Sequence, residues 1–259
     1  MTHFSDSTPP SLNLALQGGG SHGAFTWGVL DALLEDGRID FEGISGTSAG
    51  AMNAVALAHG FAQAQGKPRS DARQSARESL SAFWNGIVSM GALSSTISQA
   101  QRAPFDILFG GFGGANPSQL LMDSMTSFWA SAVSPYQSNP LDINPLKDFL
   151  DRQIDFDRLS APGLPKVFVV ATRVTTGKAE VFSGKRLTSK AVMASACLPT
   201  VFQAVEVEGE HYWDGGFSGN PAIHPLIYAC HTPDILLVQI NPIKRDTLPC
   251  EDIGYAFLP

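Results

Sequence analysis

The chain has 259 residues, 44% of them apolar and 16% charged, and carries a net charge of −7. That is enough chain for one large α/β domain, or two small ones, around a sizeable core. The acidic balance, with no cluster of Lys or Arg, argues against a nucleic-acid partner and against docking on anionic lipid by charge alone; apolar contact with a membrane stays open.

Residues Leu12 to Leu16 read as a buried strand that breaks into Gly18, Gly19 and Gly20. HGAFTWGVLDALLEDG then has a broad apolar helical face, with Gly37 placed to cap its C-terminus. FEGIS is a short strand, and AGAMNAVALAHGFAQA a helix whose small side chains let it sit close to a sheet. From about 65 to 144 the pattern changes to polar patches, two helical patterns and the loop PFDILFGGFGGANP. This stretch reads as a helical insertion or cap following the second helix, against the plainer reading of helices packed within the domain. PKVFVVATRV is a strong buried strand beside which KAEVF can pair, and SKAVMASACLP is a helix with Ser189 as its expected N-cap. VFQAVEVEGEHYWDGG alternates about a turn at Gly209 and predicts a hairpin; DILLVQI is a last core strand. Strands alternating with helices imply a mostly parallel central sheet covered on both faces.

Cys197, Cys230 and Cys250 are far apart and odd in number, with no metal-ligand spacing, which fits a reducing compartment and no metal site. The N-terminus lacks a basic segment followed by a long apolar one, and no run of about 18 apolar residues occurs. A cytoplasmic location is therefore expected.

Gly46-Thr47-Ser48-Ala49-Gly50 is a G-x-S-x-G pattern between a strand and a small-residue helix. In that context a sharp turn lifts the serine hydroxyl clear of the sheet, over a helix N-terminus that favours negative charge. A serine nucleophile needs an adjacent base. His59, His211, His224 and His231 are candidates, and so is Asp214, which ends a hairpin strand before Gly215 and Gly216.

The first glycine turn has two readings. Gly18, Gly20 and Gly23 satisfy G-x-G-x-x-G, the fingerprint of a dinucleotide-binding Rossmann fold. That fold needs an acid at the end of the second strand, where this chain has Ser45 and the serine turn. In the other reading, the amides of Gly19, Gly20 and Ser21 form an oxyanion hole facing Ser48, an arrangement suited to acyl transfer.

The motifs together resemble those of patatin-like phospholipases. QGGGSHGAFTWGVL resembles the family's glycine-rich oxyanion motif, GISGTSAGAMNA its nucleophile elbow, and ASACLPTVFQAVEVEGEHYWDGGFSGNP its C-terminal block with Asp-Gly-Gly at Asp214 to Gly216. The resemblance implies a single domain over 1–259 with a three-layer α/β/α sandwich. It implies a dyad of Ser48 as nucleophile and Asp214 as base, with no histidine in the acid–base role. Gly18, Gly19 and Gly20 would begin the oxyanion hole. The implied substrates are carboxylic esters of lipids, chiefly phospholipids and acylglycerols, hydrolysed with no metal or organic cofactor and with peripheral membrane contact. A catalytically silent lipid-binding relative is the remaining alternative.

Two departures stand out. His22 occupies a position where the family commonly has Arg or Lys, and is expected to bind substrate or help position the oxyanion. Bacterial-type members continue with further helices after the strand that DILLVQINP resembles, whereas this chain stops at Pro259; a short form, a truncation or a fragment is expected. In the insertion, Phe109 and Phe112 lie in a glycine-rich apolar loop expected to touch lipid or line an acyl channel.

Overall fold

The computed structural model describes residues 9–93, 144–199 and 202–244. Among these residues seven strands form one sheet: β1 (Ser11–Leu16), β2 (Asp40–Thr47), β3 (Lys166–Arg173), β4 (Ala179–Ser183), β5 (Val205–Val207), β6 (Glu210–Asp214) and β7 (Ile235–Val238). Strands β7, β1, β2 and β3 run side by side and parallel; β4 and β6 pair antiparallel with β3, and β5 pairs antiparallel with β6. The parallel part carries the two glycine turns. The antiparallel part comes from the hairpin at Glu208-Gly209, where both residues adopt positive φ, and from the short return of β4.

Among the described residues the α-helices are α1 (Gly23–Asp36), α2 (Ala49–Gln63), α3 (Arg69–Leu93), α4 (Pro145–Gln153), α5 (Ser189–Ser195) and α6 (His224–Ala229). Alternation along the strands sets two faces. Leu14 and Leu16 of β1, Ile44 of β2, and Val167, Val169 and Ala171 of β3 join the large core with α1 to α5. Ala15 and Phe168 point the other way and pack on Leu226 of α6, making the third, thinner layer among the described residues.

Helix α2 is buried almost all round, as a helix apolar on every side must be. Its small residues permit that burial. A Cβ at Gly50 would collide with the backbone oxygen of Leu16, and one at Gly60 with the backbone of Ala76 on α3. The beginning of the expected insertion does not stand apart from the core. Leu80, Phe83, Trp84 and Ile87 of α3 are all at most 1% exposed and pack in the main core, each burial contributing about 2 kcal/mol. Arg77 donates to both oxygens of Asp31 at 2.7 and 3.0 Å, fastening α3 to α1. The rest of that segment, residues 94–143, lies outside the described residues, and Phe109 and Phe112 with it.

Helix α1 ends as expected, with Gly37 at φ 73° donating its N–H to Leu33. The N-cap of α5 is Thr188 rather than Ser189: its hydroxyl accepts the Ala191 N–H at 3.3 Å. Among the described residues no helix is long and apolar enough to cross a membrane.

Candidate active site

Strand β2 passes into α2 through Ser48, whose φ of 54° and ψ of −123° are unusual for a residue with a side chain. Holding a non-glycine residue there costs about 1–3 kcal/mol, supplied by the surrounding packing. The elbow is closed by its glycines. A Cβ at Gly46 would strike the Gly50 carbonyl, so strand and helix meet only because both lack side chains. The Ser48 N–H donates to Ser195 Oγ at 2.9 Å, and that hydroxyl donates to the Val170 carbonyl at 2.6 Å. Ser195, fully buried at the end of α5, thus ties the strained turn to β3. Asn53, one turn further into α2, donates to the carbonyls of Gly23 and Ala49 at 3.0 and 3.1 Å and accepts from Trp84 Nε1 at 2.9 Å, locking the starts of α1 and α2 to α3.

Asp214 ends β6 and is pinned through its backbone. Its N–H donates to the Cys197 carbonyl at 2.7 Å, and its carbonyl accepts from Thr172 Oγ1 at 2.8 Å. Its side chain is 5% exposed. The carboxyl accepts the Gly216 N–H at 2.7 Å, and the Ser48 hydroxyl lies near enough to pull its pKa down. Burial pushes its pKa up from 3.8 to about 6, against the opposing pull of the Gly216 N–H and the Ser48 hydroxyl. It is therefore about nine-tenths ionised at pH 7 and a much better base than an exposed aspartate.

None of the candidate histidines reaches this pair. His59 is about 16 Å along α2 from Ser48 at 1.5 Å per residue. It lines a separate cleft, accepts the Asp155 N–H at 3.3 Å, and has its pKa lowered by burial. His211 is exposed on β6 and points away from the face that carries Asp214. His224 is exposed, and His231 bonds Glu42 at 2.9 Å.

The first glycine turn lies directly against Ser48. A Cβ on Gly18 would sit 2.7 Å from Ser48 Cβ, so glycine is required there. Gly18 does not offer its N–H to a reacting oxygen: that group donates to Asn220 Oδ1 at 2.6 Å. Asn220 Nδ2 donates back to the Gly18 carbonyl at 3.2 Å. The Gly19 carbonyl accepts the His22 N–H at 3.1 Å and lies 3.1 Å from His22 Nδ1. Peptide units are planar and trans, so each N–H points opposite to the carbonyl before it. The N–H groups of Gly19 and Gly20 are thereby aimed away from these engaged carbonyls. Neither they nor the Ser21 N–H finds an acceptor among the described residues. His22 is exposed at the rim of this turn.

Sequence reasoning missed Asn220, Ser195 and Gln17. Gln17 Oε1 accepts the Ile240 and Asn241 N–H groups at 2.7 and 2.8 Å, binding the glycine turn to the end of β7. The only sequence signal for Asn220 was its place in GNP, a few residues past Asp214, where it reads as an ordinary turn residue.

The sequence profile of the family described as patatin-like phospholipase matches residues 14–227. Among solved structures, the crystal structure of VipD from Legionella pneumophila matches with a TM-score of 0.46 and 20% identity, covering 89% of this chain and 50% of that one. The chain thus spans about half the length of that protein. No curated protein sequence matches significantly. The profile extends over most of the chain and takes in both glycine turns, Ser48, Asp214 and Asn220: the chain belongs to the patatin-like phospholipase family.

Proposed function

We propose that the chain is a serine hydrolase of lipid carboxylic esters, with Ser48 as nucleophile, Asp214 as base and the amides of Gly19, Gly20 and Ser21 as oxyanion donors. The observation that carries this reading is a buried carboxyl, its pKa pushed up to about 6, that ends its strand beside the Ser48 turn: Asp214 pairs with Ala171 and Thr47 with Val170 of β3, and no histidine among the described residues joins them. Asp214 takes the Ser48 proton as the oxygen attacks the ester carbonyl. The tetrahedral oxyanion is held by the glycine-turn amides and by the positive end of α2. Asp214 returns the proton to the leaving alcohol or lysolipid as the carbon–oxygen bond breaks. Water then attacks the acyl-enzyme, giving its proton to Asp214, which passes it back to Ser48 as the fatty acid leaves.

The substrates are phospholipids or acylglycerols, in keeping with the family, and the protein works in the cytoplasm in peripheral contact with a membrane. His22, at the rim of the glycine turn, and Phe109 and Phe112, outside the described residues, are the proposed substrate contacts. Incubation with a fluorophosphonate probe should label Ser48 in the wild type and leave Ser48→Ala unlabelled. Phosphatidylcholine vesicles should release fatty acid only with the wild type. Labelling at another residue, or equal fatty-acid release by both proteins, would refute the assignment.

A further inference from the structure

We infer that Asn220 is a positioning residue that sets the direction of the Gly19 amide in the oxyanion hole; this rests on the hydrolase reading above. Asn220 holds both sides of one glycine. Its Oδ1 accepts the Gly18 N–H at 2.6 Å and its Nδ2 donates to the Gly18 carbonyl at 3.2 Å. The second bond fixes the plane of the Gly18–Gly19 peptide unit. In a trans peptide that plane determines where the Gly19 N–H points. Glycine has no side chain to resist rotation, so without the clamp the unit is free to turn.

The clamp also links two parts of the site. Asn220 follows Asp214 on the same loop, and that loop is anchored beneath the nucleophile. Thr47 Oγ1 donates to the Gly219 carbonyl at 2.7 Å, and Ser45 Oγ donates to the Ala222 carbonyl at 2.6 Å. The segment that delivers the base therefore also aligns the donor, and both are referenced to the strand that carries Ser48. Asn220 touches no reacting atom. Its effect belongs in the transition state, where the oxyanion develops, and not in ground-state binding.

The test is steady-state hydrolysis of a soluble p-nitrophenyl ester by wild type, Asn220→Ala and Asn220→Asp, with active sites titrated by a fluorophosphonate. Asn220→Asp preserves size and the acceptor for the Gly18 N–H but replaces the donor to the Gly18 carbonyl with an oxygen, so it stands in if the alanine variant does not fold. Both variants should lose about 30- to 100-fold in kcat per titrated site, somewhat below the loss expected for deleting a donor outright. KM should stay within threefold, and in Asn220→Ala the acidic limb of the pH profile should not move, because Asn220 makes no bond to Asp214; in Asn220→Asp the added carboxylate raises that limb. A purely structural role would lower the number of titratable sites and leave kcat per site unchanged. Folded variants within threefold of wild-type kcat, a loss expressed in KM, or a shifted acidic limb in Asn220→Ala would each overturn the assignment of Asn220 alone. Wild-type protein that neither hydrolyses the ester nor takes the probe at Ser48 overturns the hydrolase reading, and this one with it.

Discussion

Thr47 and Asp214 meet end to end along one edge of the same strand. Thr47 pairs with Val170 of β3, and Asp214 pairs with the next residue, Ala171. Since β4 occupies the other edge of β3 over these positions, β2 and β6 share the remaining one and run towards each other. Ser48 is the first residue past the end of one, and Asp214 is the last residue of the other. A parallel strand and an antiparallel strand meeting on a common neighbour bring a hydroxyl and a carboxyl together without a long loop.

The pH dependence of hydrolysis follows from the state of Asp214. In the proposed role of base it must be ionised, so activity should rise with pH through about 6, the value its burial produces. Ser48→Ala and Asp214→Asn should each lower kcat by about 1,000-fold or more. His211→Ala should keep nearly all activity, because that side chain is exposed on the other face of β6. Initial rates between pH 3.5 and 9 check all three; an acidic limb near 4, or inactivation of His211→Ala, would contradict the dyad.

The same carboxyl makes the folded state less stable at neutral pH. Its pKa is about 6 in the folded chain against an ordinary 3.8, so between these values the folded protein binds more protons than the unfolded one. Stability therefore falls as pH rises from about 4 to 6 and stays lower above. The shift corresponds to about 3 kcal/mol. Asp214→Asn removes the charge and keeps the shape. It should be more stable than wild type at pH 8, with a melting temperature several degrees higher, and the gap should close towards pH 4. Thermal denaturation at both pH values measures this, and a gap independent of pH would contradict it.

Ser195 should matter although its side chain is fully buried. Removing its hydroxyl leaves the buried Ser48 N–H without its acceptor. Such a loss costs about 1–3 kcal/mol. Because the bond also holds Ser48 at φ 54°, kcat should fall along with stability. Ser195→Ala should therefore show a lower unfolding midpoint and a kcat reduced at least tenfold per titrated site. Wild-type values for both would show that the elbow holds itself without this tie.

What could be read from the chain was what short-range pattern encodes. The runs of apolar residues before Gly18 and Gly46 predict strands β1 and β2, and the small-residue run after Ser48 predicts α2, because backbone geometry and burial leave a mark within a few residues. The helix after Gln65 read equally well as an insertion or as core, since its apolar stripe does not say which surface it meets; contact with Gly60 and Asn53 decides that. Asn220 and Ser195 were not legible for the same reason. Each acts on backbone atoms far away in the chain, and nothing in the residues beside them distinguishes a clamp from a turn or a helix end. Gly18 was legible as a glycine but not in its role: it provides closeness to Ser48, while its N–H serves Asn220.

That division of roles between neighbouring glycines yields a contrast in a single experiment. A methyl on Gly18 would run into the Thr47 carbonyl and lie 2.7 Å from Ser48 Cβ, atoms held by the strained elbow and unable to retreat. A methyl on Gly19 would meet Ile240 at 3.5 Å and His22 Cβ at 3.9 Å, both ordinary contacts. Gly18→Ala should therefore lose at least about 100-fold in kcat, the scale of a lost oxyanion donor, or fail to fold. Gly19→Ala should fold and stay within tenfold of wild type, because its N–H remains in place. Ester hydrolysis alongside circular dichroism compares the two directly. The reverse order of damage would mean that the hole is built around a different amide from the one assigned here.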